Sequence, residues 1–390
     1  MRANPGGHIP PADVVGRDEL IANLWRVLKR QSLVLSAERR MGKTCVIQKM
    51  NAEAPTDMLT IYRDLEKIHT PLEFADSVFQ DVEEYLGLFQ KTATRARQFI
   101  AHLKGAELGK VIKIPDIGAP HWKDLLTHTL ADLVEHQGKM VVLFWDELPH
   151  MIYNVARRNG ADIAMEVLDA LRALRQTYPT IRMVFTGSIG LHNVITSLKR
   201  SGYANAPTND MATLDVPPLS DKYAPELALR LIEGEGIVAD DRPALAATIA
   251  NEVDGIPFYI QHVVDQIVMS GNRGDIDMVH AIVGSKLTDP LDSWNLKHYR
   301  ERMDTYYTVK ELPFALNILD VLAGADKPIN FVDLFNLLKA KMVTEDDEAA
   351  REVLTLLQRD HYVIQNTKGN FSFRFPFIQR WWRISRGMRV

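Results

Sequence analysis

Residues 32–48, SLVLSAERRMGKTCVIQ, place a Gly-Lys-Thr triplet between a short apolar run and a helical pattern. Aligned with the pattern G-x-x-x-x-G-K-[ST], Ala37 stands at the first glycine, and Gly42, Lys43 and Thr44 fill the last three positions. Glycine lets backbone N–H groups approach a phosphate, the lysine reaches the β- and γ-phosphates, and the hydroxyl can ligate magnesium. The first glycine only starts the turn, so alanine is tolerated there if its φ is negative. This stretch predicts a phosphate-binding loop.

The setting of the triplet argues against an accidental match. It lies at a strand-to-helix junction, where the helix that begins near Gly42 points the positive end of its dipole at a bound anion. We therefore expect the second half of the loop and the first turn of this helix to line the nucleotide. These nucleotide-binding positions are Arg39, Arg40, Met41, Gly42, Lys43, Thr44 and Cys45.

A second motif, MVVLFWDE, ends a buried apolar strand with Asp146 and Glu147. In P-loop ATPases a strand-end aspartate holds magnesium, and a neighbouring carboxylate can accept a proton from the attacking water. The alternative is an acid that caps the following helix. Two such motifs, roughly 100 residues apart and both on predicted buried strands, are hard to obtain by chance. Together they predict ATP and Mg²⁺ as ligands, with Thr44 and Asp146 at the metal and Lys43 and Glu147 as catalytic residues.

Three further polar residues are candidates for a catalytic role. The third strand, RMVFTGS, ends in Thr186 and Ser188, and a hydroxyl there could orient the attacking water or bind the γ-phosphate. Hydroxyls at strand ends are otherwise unremarkable. Arg200, at the end of the next predicted helix, could act as an arginine finger on the γ-phosphate of a neighbouring subunit. The helix dipole also favours an exposed arginine at that position.

The composition of the 390-residue chain is that of an ordinary globular protein. Hydrophobic residues make up 46% and charged residues 25%, and the net charge of −4 gives no strong attraction to nucleic acid or anionic membrane. The only cysteine is Cys45, which suits a reducing compartment. No run of about 18 apolar residues occurs, so we expect no membrane contact and a cytoplasmic location.

The order of patterns predicts an α/β fold: a three-layer parallel-sheet P-loop NTPase domain followed by a helical lid and a winged-helix domain. We expect an extended arm over 1–12, the ATPase core over 13–221, the helical lid over 222–305 and the winged helix over 306–390. In the last segment, three helical patterns precede HYVIQNTKGNFSFRFPF, where two alternating runs flank the turn NTKGN.

The segments VVGRDE, SAERRMGKT, LFWDEL, MVFTGS and VDGIPFYIQHV together resemble the AAA+-related P-loop ATPases of the archaeal-ATPase and STAND type. Many of these have alanine at the first position of the loop followed by proline, so Ala37 matches the family whereas Glu38 departs from it. The resemblance implies that Val15, Gly16 and Arg17 lie near the adenine. It also implies that Gly255 and Pro257 form the glycine–proline step of the lid that closes over the nucleotide.

A winged helix that reads DNA should present a basic third helix. The third helical pattern here has two arginines against six acids, which are Glu345, Asp346, Asp347, Glu348, Glu352 and Asp360. The segment Lys368–Arg389 is instead basic, without an acid, and carries Phe371, Phe373, Phe375, Phe377, Trp381 and Trp382. Nucleic acid could bind this segment. The alternation of the phenylalanines is more typical of a half-buried strand that packs into a core.

The sequence therefore leaves two hypotheses for the function. In one, the chain is a slow, regulated ATPase that works as a molecular switch. Its ATP-bound state would form a homo-oligomer or engage a protein partner or effector. In the other, it is an ATP-dependent DNA-binding AAA+ protein of the initiator or transposition-accessory type. The lid helix begins without an arginine or lysine that could act as a second sensor, which favours the switch. No H-E-x-x-H or G-x-S-x-G pattern supports another enzyme class.

Overall fold

The computed structural model describes residues 1–89, 94–104, 121–136, 138–187, 190–341, 343 and 346–389. The chain divides into two compact units. The sheet unit comprises Glu19–Ser36 and Lys43–Asp215. The C-terminal unit comprises Met1–Asp18, Ala37–Gly42 and the chain from Val216 onward. The predicted phosphate loop is thus shared, because its residues 37–42 group with the C-terminal unit and the following helix with the sheet unit. The four sequence-based domain boundaries stay a prediction.

Five parallel strands of the described residues form the sheet. They are β1 (Leu33–Ser36), β2 (Met58–Asp64), β3 (Met140–Asp146), β4 (Ile181–Phe185) and β5 (Ala212–Asp215). Their order across the sheet is β2-β3-β4-β1-β5. Strand β3 is an interior strand of the sheet, apolar from Met140 to Trp145 and buried over most of its length, because it has a neighbouring strand on each side. The predicted α/β fold class is confirmed, whereas the four-residue β5 was too short for its pattern to be recognised.

Helices cover the sheet and complete the three layers. Those of the sheet unit are α1 (Asp18–Leu28), α2 (Lys43–Ala52), α3 (Pro71–Phe89), α4 (Arg95–Lys104), α5 (Trp122–His136), α6 (Leu148–Asn159), α7 (Ala161–Thr177) and α8 (Leu191–Arg200). The core is centred on Trp145, which lies 5.1 Å from Phe74 and 6.1 Å from Phe185 between ring centroids. Because this tryptophan is fixed on both sides, the residues that follow it at the end of β3 have a rigid support.

The first part of the C-terminal unit is helical. After a 3₁₀ turn at Pro11–Asp13 come α9 (Tyr223–Glu235), α10 (Arg242–Glu252), α11 (Pro257–Met269), α12 (Ile276–Leu287) and α13 (His298–Tyr306). Gly255 precedes α11 with φ +66°, and a Cβ there would lie 2.5 Å from the Leu219 carbonyl oxygen. Pro257 is the first residue of the helix, where its missing N–H costs nothing. The GIP step is therefore a tight turn followed by a helix start.

The last part of the C-terminal unit is three helices, a hairpin and a final helix. They are α14 (Glu311–Gly324), α15 (Phe331–Ala340), α16 (Asp347–Arg359), β6 (Val363–Gln365), β7 (Phe371–Phe373) and α17 (Pro376–Ser385). The three helices and the antiparallel hairpin confirm the predicted order of elements. The expectation that the phenylalanines continue as a strand is wrong, because Pro376 begins a helix and Phe377 faces the core from it. Among the described residues, no helix is long and apolar enough to cross a membrane.

Candidate functional site

The carboxyl end of β3 carries the central carboxylate of the predicted site. The hydroxyl of Thr44, in the first turn of α2, donates to Asp146 Oδ2 at 2.7 Å. The same oxygen accepts from the Tyr62 hydroxyl on β2 at 3.4 Å. Burial raises the pKa of Asp146, against the hydrogen bond from Thr44 that lowers it. The loop hydroxyl and the strand-end carboxylate, 102 residues apart in sequence, are therefore in direct contact, and their role as magnesium ligands stays a prediction.

Glu147 follows Asp146 in a left-handed conformation, with φ 57° and ψ 25°. A non-glycine residue with positive φ is uncommon and turns the side chain away from the path that a regular strand or helix would give it. Glu147 occupies the residue before α6, yet its side chain makes no capping hydrogen bond to that helix. A Cβ at Gly187 would lie 3.3 Å from Glu147 Oε2, so the glycine leaves room for the carboxylate. The helix-capping alternative is thus not supported.

Thr186 lies at the end of β4, beside both acids. Its N–H donates to the Trp145 carbonyl and its own carbonyl accepts from Leu148 N–H, each at 3.2 Å, so its backbone brackets Asp146 and Glu147. The side chain is buried, with 1% exposed. In the described part of the chain its hydroxyl has no hydrogen-bond partner. A buried unpaired hydroxyl is costly, and a ligand or water at the acids would satisfy it. Ser188 lies outside the described residues.

The loop residues have the backbone that phosphate binding needs. Gly42 has φ +84° and Arg40 has φ 74°, whereas Ala37 does not have a positive φ, so alanine is tolerated at the first glycine position. Lys43 is buried with 8% exposed, at the start of α2. Arg17 Nη2 donates to the Met41 carbonyl at 2.8 Å. The N-terminal box and the loop are therefore in contact within the C-terminal unit.

The other predicted positions are scattered around these groups. Gly16 has φ +68°, and a Cβ there would collide with the Tyr223 side chain at 2.5 Å. Val15 is buried, Arg39 is exposed and Cys45 is half-buried. Arg200 is an exposed residue in the last turn of α8. Its placement fits the favourable end of the helix dipole, and its role as an arginine finger stays a prediction.

The donor set at Thr44 and Asp146 fits magnesium. Mg²⁺ prefers oxygen ligands and is usually held by one or two protein side chains, with waters and substrate phosphates completing the octahedron. Within the described ranges no group of three or more His, Cys, Asp or Glu side chains could hold a metal by itself. The existing Thr44–Asp146 hydrogen bond already brings the two oxygens together.

Sequence reasoning missed three residues around these motifs. Tyr62 contacts Asp146 because β2 pairs with β3, with Tyr62 opposite Phe144. Glu38 was recognised only as a departure from the family, and it proves to be buried, with 2% exposed, and bonded to Arg302. No pattern along the chain pairs residues 264 positions apart.

Three of the six basic residues of the C-terminal segment, Arg380, Arg383 and Arg386, pair with acids of their own unit. Arg380 pairs with Glu252 at 2.8 Å and Arg386 with Asp320 at 2.6 Å. Arg383 donates to main-chain carbonyls at the end of α14. The aromatic residues of the segment are buried, in agreement with the core interpretation. Lys368 is exposed on the hairpin turn.

No protein-family model matches the sequence, and no curated protein sequence matches it. Solved structures do match. The Walker-type ATPase PABY2304 of Pyrococcus abyssi aligns with a TM-score of 0.65 at 16% identity, over 95% of this chain and 97% of that one. The ORC2 protein of Aeropyrum pernix, in ADPNP–ADP complexes, aligns with a TM-score of 0.54 at 13% identity, over 98% and 97%. Its ADP form aligns with a TM-score of 0.50 at 13% identity, over 98% and 95%.

At these sequence identities the structural likeness establishes the fold alone, and any activity must be argued from the residues of the site. The chain therefore has an α/β fold with a parallel sheet like that of these two solved structures, a Walker-type ATPase and an ORC protein.

Proposed function

We propose that this protein binds Mg-ATP at the loop that leads into α2, hydrolyses it slowly, and works as a nucleotide-dependent switch. The observation that carries the proposal is the 2.7 Å hydrogen bond between the Thr44 hydroxyl and Asp146. This bond holds together the two side chains that a magnesium ion would share. The likeness to archaeal Walker-type and ORC structures supports the fold that this chemistry requires.

Binding would depend on the loop and the first turn of α2. The backbone N–H groups around Gly42 would cradle the phosphates, where the positive end of the helix dipole adds to the attraction. The ammonium group of Lys43 would contact the β- and γ-phosphate oxygens. Thr44 and Asp146 would hold magnesium, which when bound neutralises charge on those oxygens.

Hydrolysis would depend on the acids at the end of β3. Glu147 would accept a proton from the attacking water, a role that typically contributes about 10²–10⁴-fold in rate. Its left-handed backbone leaves the carboxylate beside Gly187, clear of the helix that follows. The unpaired Thr186 hydroxyl would orient the same water.

Two features favour a switch over a motor. The first turn of α11 reads PFYI and provides no arginine or lysine to act as a second sensor. Arg200 is exposed at a helix end, where it could reach the γ-phosphate of a second copy in an ATP-bound homo-oligomer. A protein partner or effector would then read the nucleotide state. A cytoplasmic location belongs to this proposal, on the single cysteine of the sequence.

The alternative, an ATP-dependent DNA-binding protein, has weaker support. A DNA surface needs Lys and Arg side chains that are available to phosphates. In the segment 368–389, Arg380 and Arg386 are paired with acids of the same unit. The acidic N-terminal turn of α16, with Asp347 and Glu348, would repel a duplex.

The test is ATP turnover by the purified chain with Mg²⁺, in the absence and presence of duplex DNA. We expect slow turnover that is indifferent to DNA. Glu147→Gln should bind ATP as tightly as the parent and lose about 10²-fold or more in turnover. Lys43→Ala should abolish ATP binding.

The possible outcomes separate the hypotheses. Equal turnover in Glu147→Gln and the parent would rule out this glutamate as the base. Absence of ATP binding by the parent would overturn the proposed function. Turnover that rises several-fold with duplex DNA would favour the DNA-binding alternative, and substitution of Lys368 would then be the next step.

A further inference from the structure

The phosphate loop contains a buried acid that no part of the proposed chemistry uses. Glu38 lies four residues before Gly42 and has 2% of its surface exposed. Both carboxylate oxygens are occupied: Arg302 Nη1 donates to Oε1 at 2.7 Å and Nη2 to Oε2 at 2.9 Å. The N–H of Arg39 also donates to Oε1, at 2.7 Å. A buried carboxylate is strongly unfavourable without such partners, so the position of the loop depends on them.

The charge that balances Glu38 comes from Arg302. Burial alone would raise the pKa of Glu38, but the arginine holds it well below its usual range. His298 is also close, with Nε2 4.0 Å from Oε1. Its Nδ1 lies 2.6 Å from the Asn295 carbonyl oxygen, so this nitrogen carries the proton of the neutral ring. Burial lowers the pKa of His298, which keeps the ring neutral near pH 7.

The same guanidinium also holds the segment that leads into the hairpin. Arg302 Nε donates to the Tyr362 hydroxyl at 2.6 Å, and Nη2 donates to the Asp360 carbonyl. Its charge lies 4.3 Å from the centre of the Tyr362 ring. The Tyr307 hydroxyl donates to the Asp360 carboxylate at 2.8 Å, which fixes the segment further. One planar group with a fixed donor geometry therefore binds the loop and residues 360–362 simultaneously.

A second loop residue is anchored in the same unit. Arg40 has φ 74°, a conformation that a non-glycine residue adopts only when its surroundings impose it. Its guanidinium lies 4.0 Å from the centre of the Phe258 ring on α11 and hydrogen-bonds to the Trp294 carbonyl. The loop conformation is thus determined by residues far along the chain, as well as by the glycine and lysine of its motif.

We propose that Arg302 is a positioning residue of the nucleotide site, which holds the phosphate loop through Glu38 and links its conformation to residues 360–373 through Tyr362 and Asp360. The proposal rests on the proposed ATP binding at this loop and names the segment whose state ATP changes. Coupling between two sites is reciprocal, so ATP that fixes the loop must also stabilise the segment. The hairpin would then report the nucleotide state to a partner.

The test measures two quantities in the full-length chain: the dissociation constant for a non-hydrolysable ATP analogue, and amide hydrogen exchange of residues 360–373 with and without it. In the parent we expect the analogue to slow exchange in this segment. Arg302→Lys cannot reproduce the two-pronged contact, and we expect about tenfold weaker binding and loss of the exchange effect. Arg300→Lys is the matched control on the same helix, because Arg300 pairs with Asp304 one turn away at 2.5 Å, and it should change neither quantity.

Tyr362→Phe is a second variant that keeps the ring and the Glu38–Arg302 pair, and removes the hydroxyl that accepts from Arg302 and donates to the Tyr299 carbonyl. It should bind the analogue within about threefold of the parent and still lose most of the slowing of exchange in 360–373. If both variants keep the parent's exchange effect, the coupling is refuted while ATP binding stands. If the parent itself does not bind the analogue, the proposed function fails, which is a separate and recognisable result.

Discussion

The two halves of the phosphate-binding motif are held in place in different ways. Thr44, Asp146, Glu147 and Thr186 belong to the sheet unit, where their positions follow from the ends of neighbouring strands and the first turn of α2. Residues 37–42 belong to the C-terminal unit, where Arg17, Arg302 and the residues around Phe258 hold them. The half with the proposed catalytic residues, hereafter the catalytic half, is thus positioned by the sheet, and the loop half by contacts with residues distant in sequence. Substitutions in the first half should therefore change ATP turnover, and substitutions in the second should change amide exchange of the loop.

The largest expected effect of the four substitutions considered next is in the catalytic half, at Asp146→Asn. The amide keeps the size of the side chain but loses the charge that would hold magnesium, so turnover should fall about 100-fold, or about 2.7 kcal/mol in activation free energy. Asp64→Asn is the matched control, because Asp64 pairs with Asp146 across β2 and β3 but is exposed. Turnover at saturating ATP and excess Mg²⁺ is the measurement. Equal losses in the two variants would show that only the general electrostatic field matters.

Arg17→Met should give the next largest effect, in the loop half. It removes the donor to the Met41 carbonyl and leaves a buried acceptor without this bond, at a cost of about 2 kcal/mol to local stability. Amide exchange of residues 38–42 should accelerate about 30-fold. Arg26→Met, on the exposed face of α1, removes an arginine that bonds only to Asn23 and should leave this exchange unchanged. Unchanged exchange in Arg17→Met would contradict the claim that the N-terminal box holds the loop.

The difference between local and long-range contacts also explains which features could be predicted from the sequence. The α/β class followed from local patterns, and so did the choice of Thr44 and Asp146 as candidates for one site, because a loop after one strand and the end of another meet at one edge of a parallel sheet. The three helices and hairpin also followed from periodicity. The pairing of Glu38 with Arg302 could not, because it joins residues 264 positions apart and breaks the rule that charges lie outside. The final helix was missed because alternating phenylalanines mimic a strand until Pro376 interrupts them.

Thr186→Val tests the catalytic half, because it should lower ATP turnover without lowering the stability of the fold. The Thr186 hydroxyl has no partner within the described residues, so valine removes an unpaired polar group and should leave thermal stability equal or higher. Turnover should fall about tenfold if the hydroxyl orients water, since one hydrogen bond corresponds to about 1.4 kcal/mol. Thr129→Val is the opposite control. Its hydroxyl donates to the Leu125 carbonyl at 2.7 Å, so stability should fall while turnover stays constant. Full turnover in Thr186→Val would remove this residue from the mechanism.

Asp254 offers a pH-dependent test of the long-range contacts that shape the C-terminal unit. Its Oδ2 accepts from Phe377 N–H at 2.7 Å at the start of α17, and burial raises its pKa to about 6. A carboxyl with a raised folded-state pKa stabilises the fold below its unfolded pKa, and this contribution is lost as the pH rises through about 6. Asparagine keeps the acceptor without the charge and tolerates the φ of 52° at this position.

Asp254→Asn should therefore be more stable than the parent at pH 8 and close to it near pH 4, with the difference growing as the pH rises through about 6. Asp254→Ala loses the acceptor and suffers in the left-handed conformation, so it should be less stable than Asp254→Asn at both pH values. Thermal unfolding of the three proteins at pH 4 and pH 8 distinguishes the cases. A stability difference between Asp254→Asn and the parent that does not change with pH would mean that Asp254 keeps its charge across this range. The hydrogen bond from Phe377 N–H to Asp254 would then be a charge-assisted cap of α17. The C-terminal unit would depend on a buried charge at Asp254, as it does at Glu38.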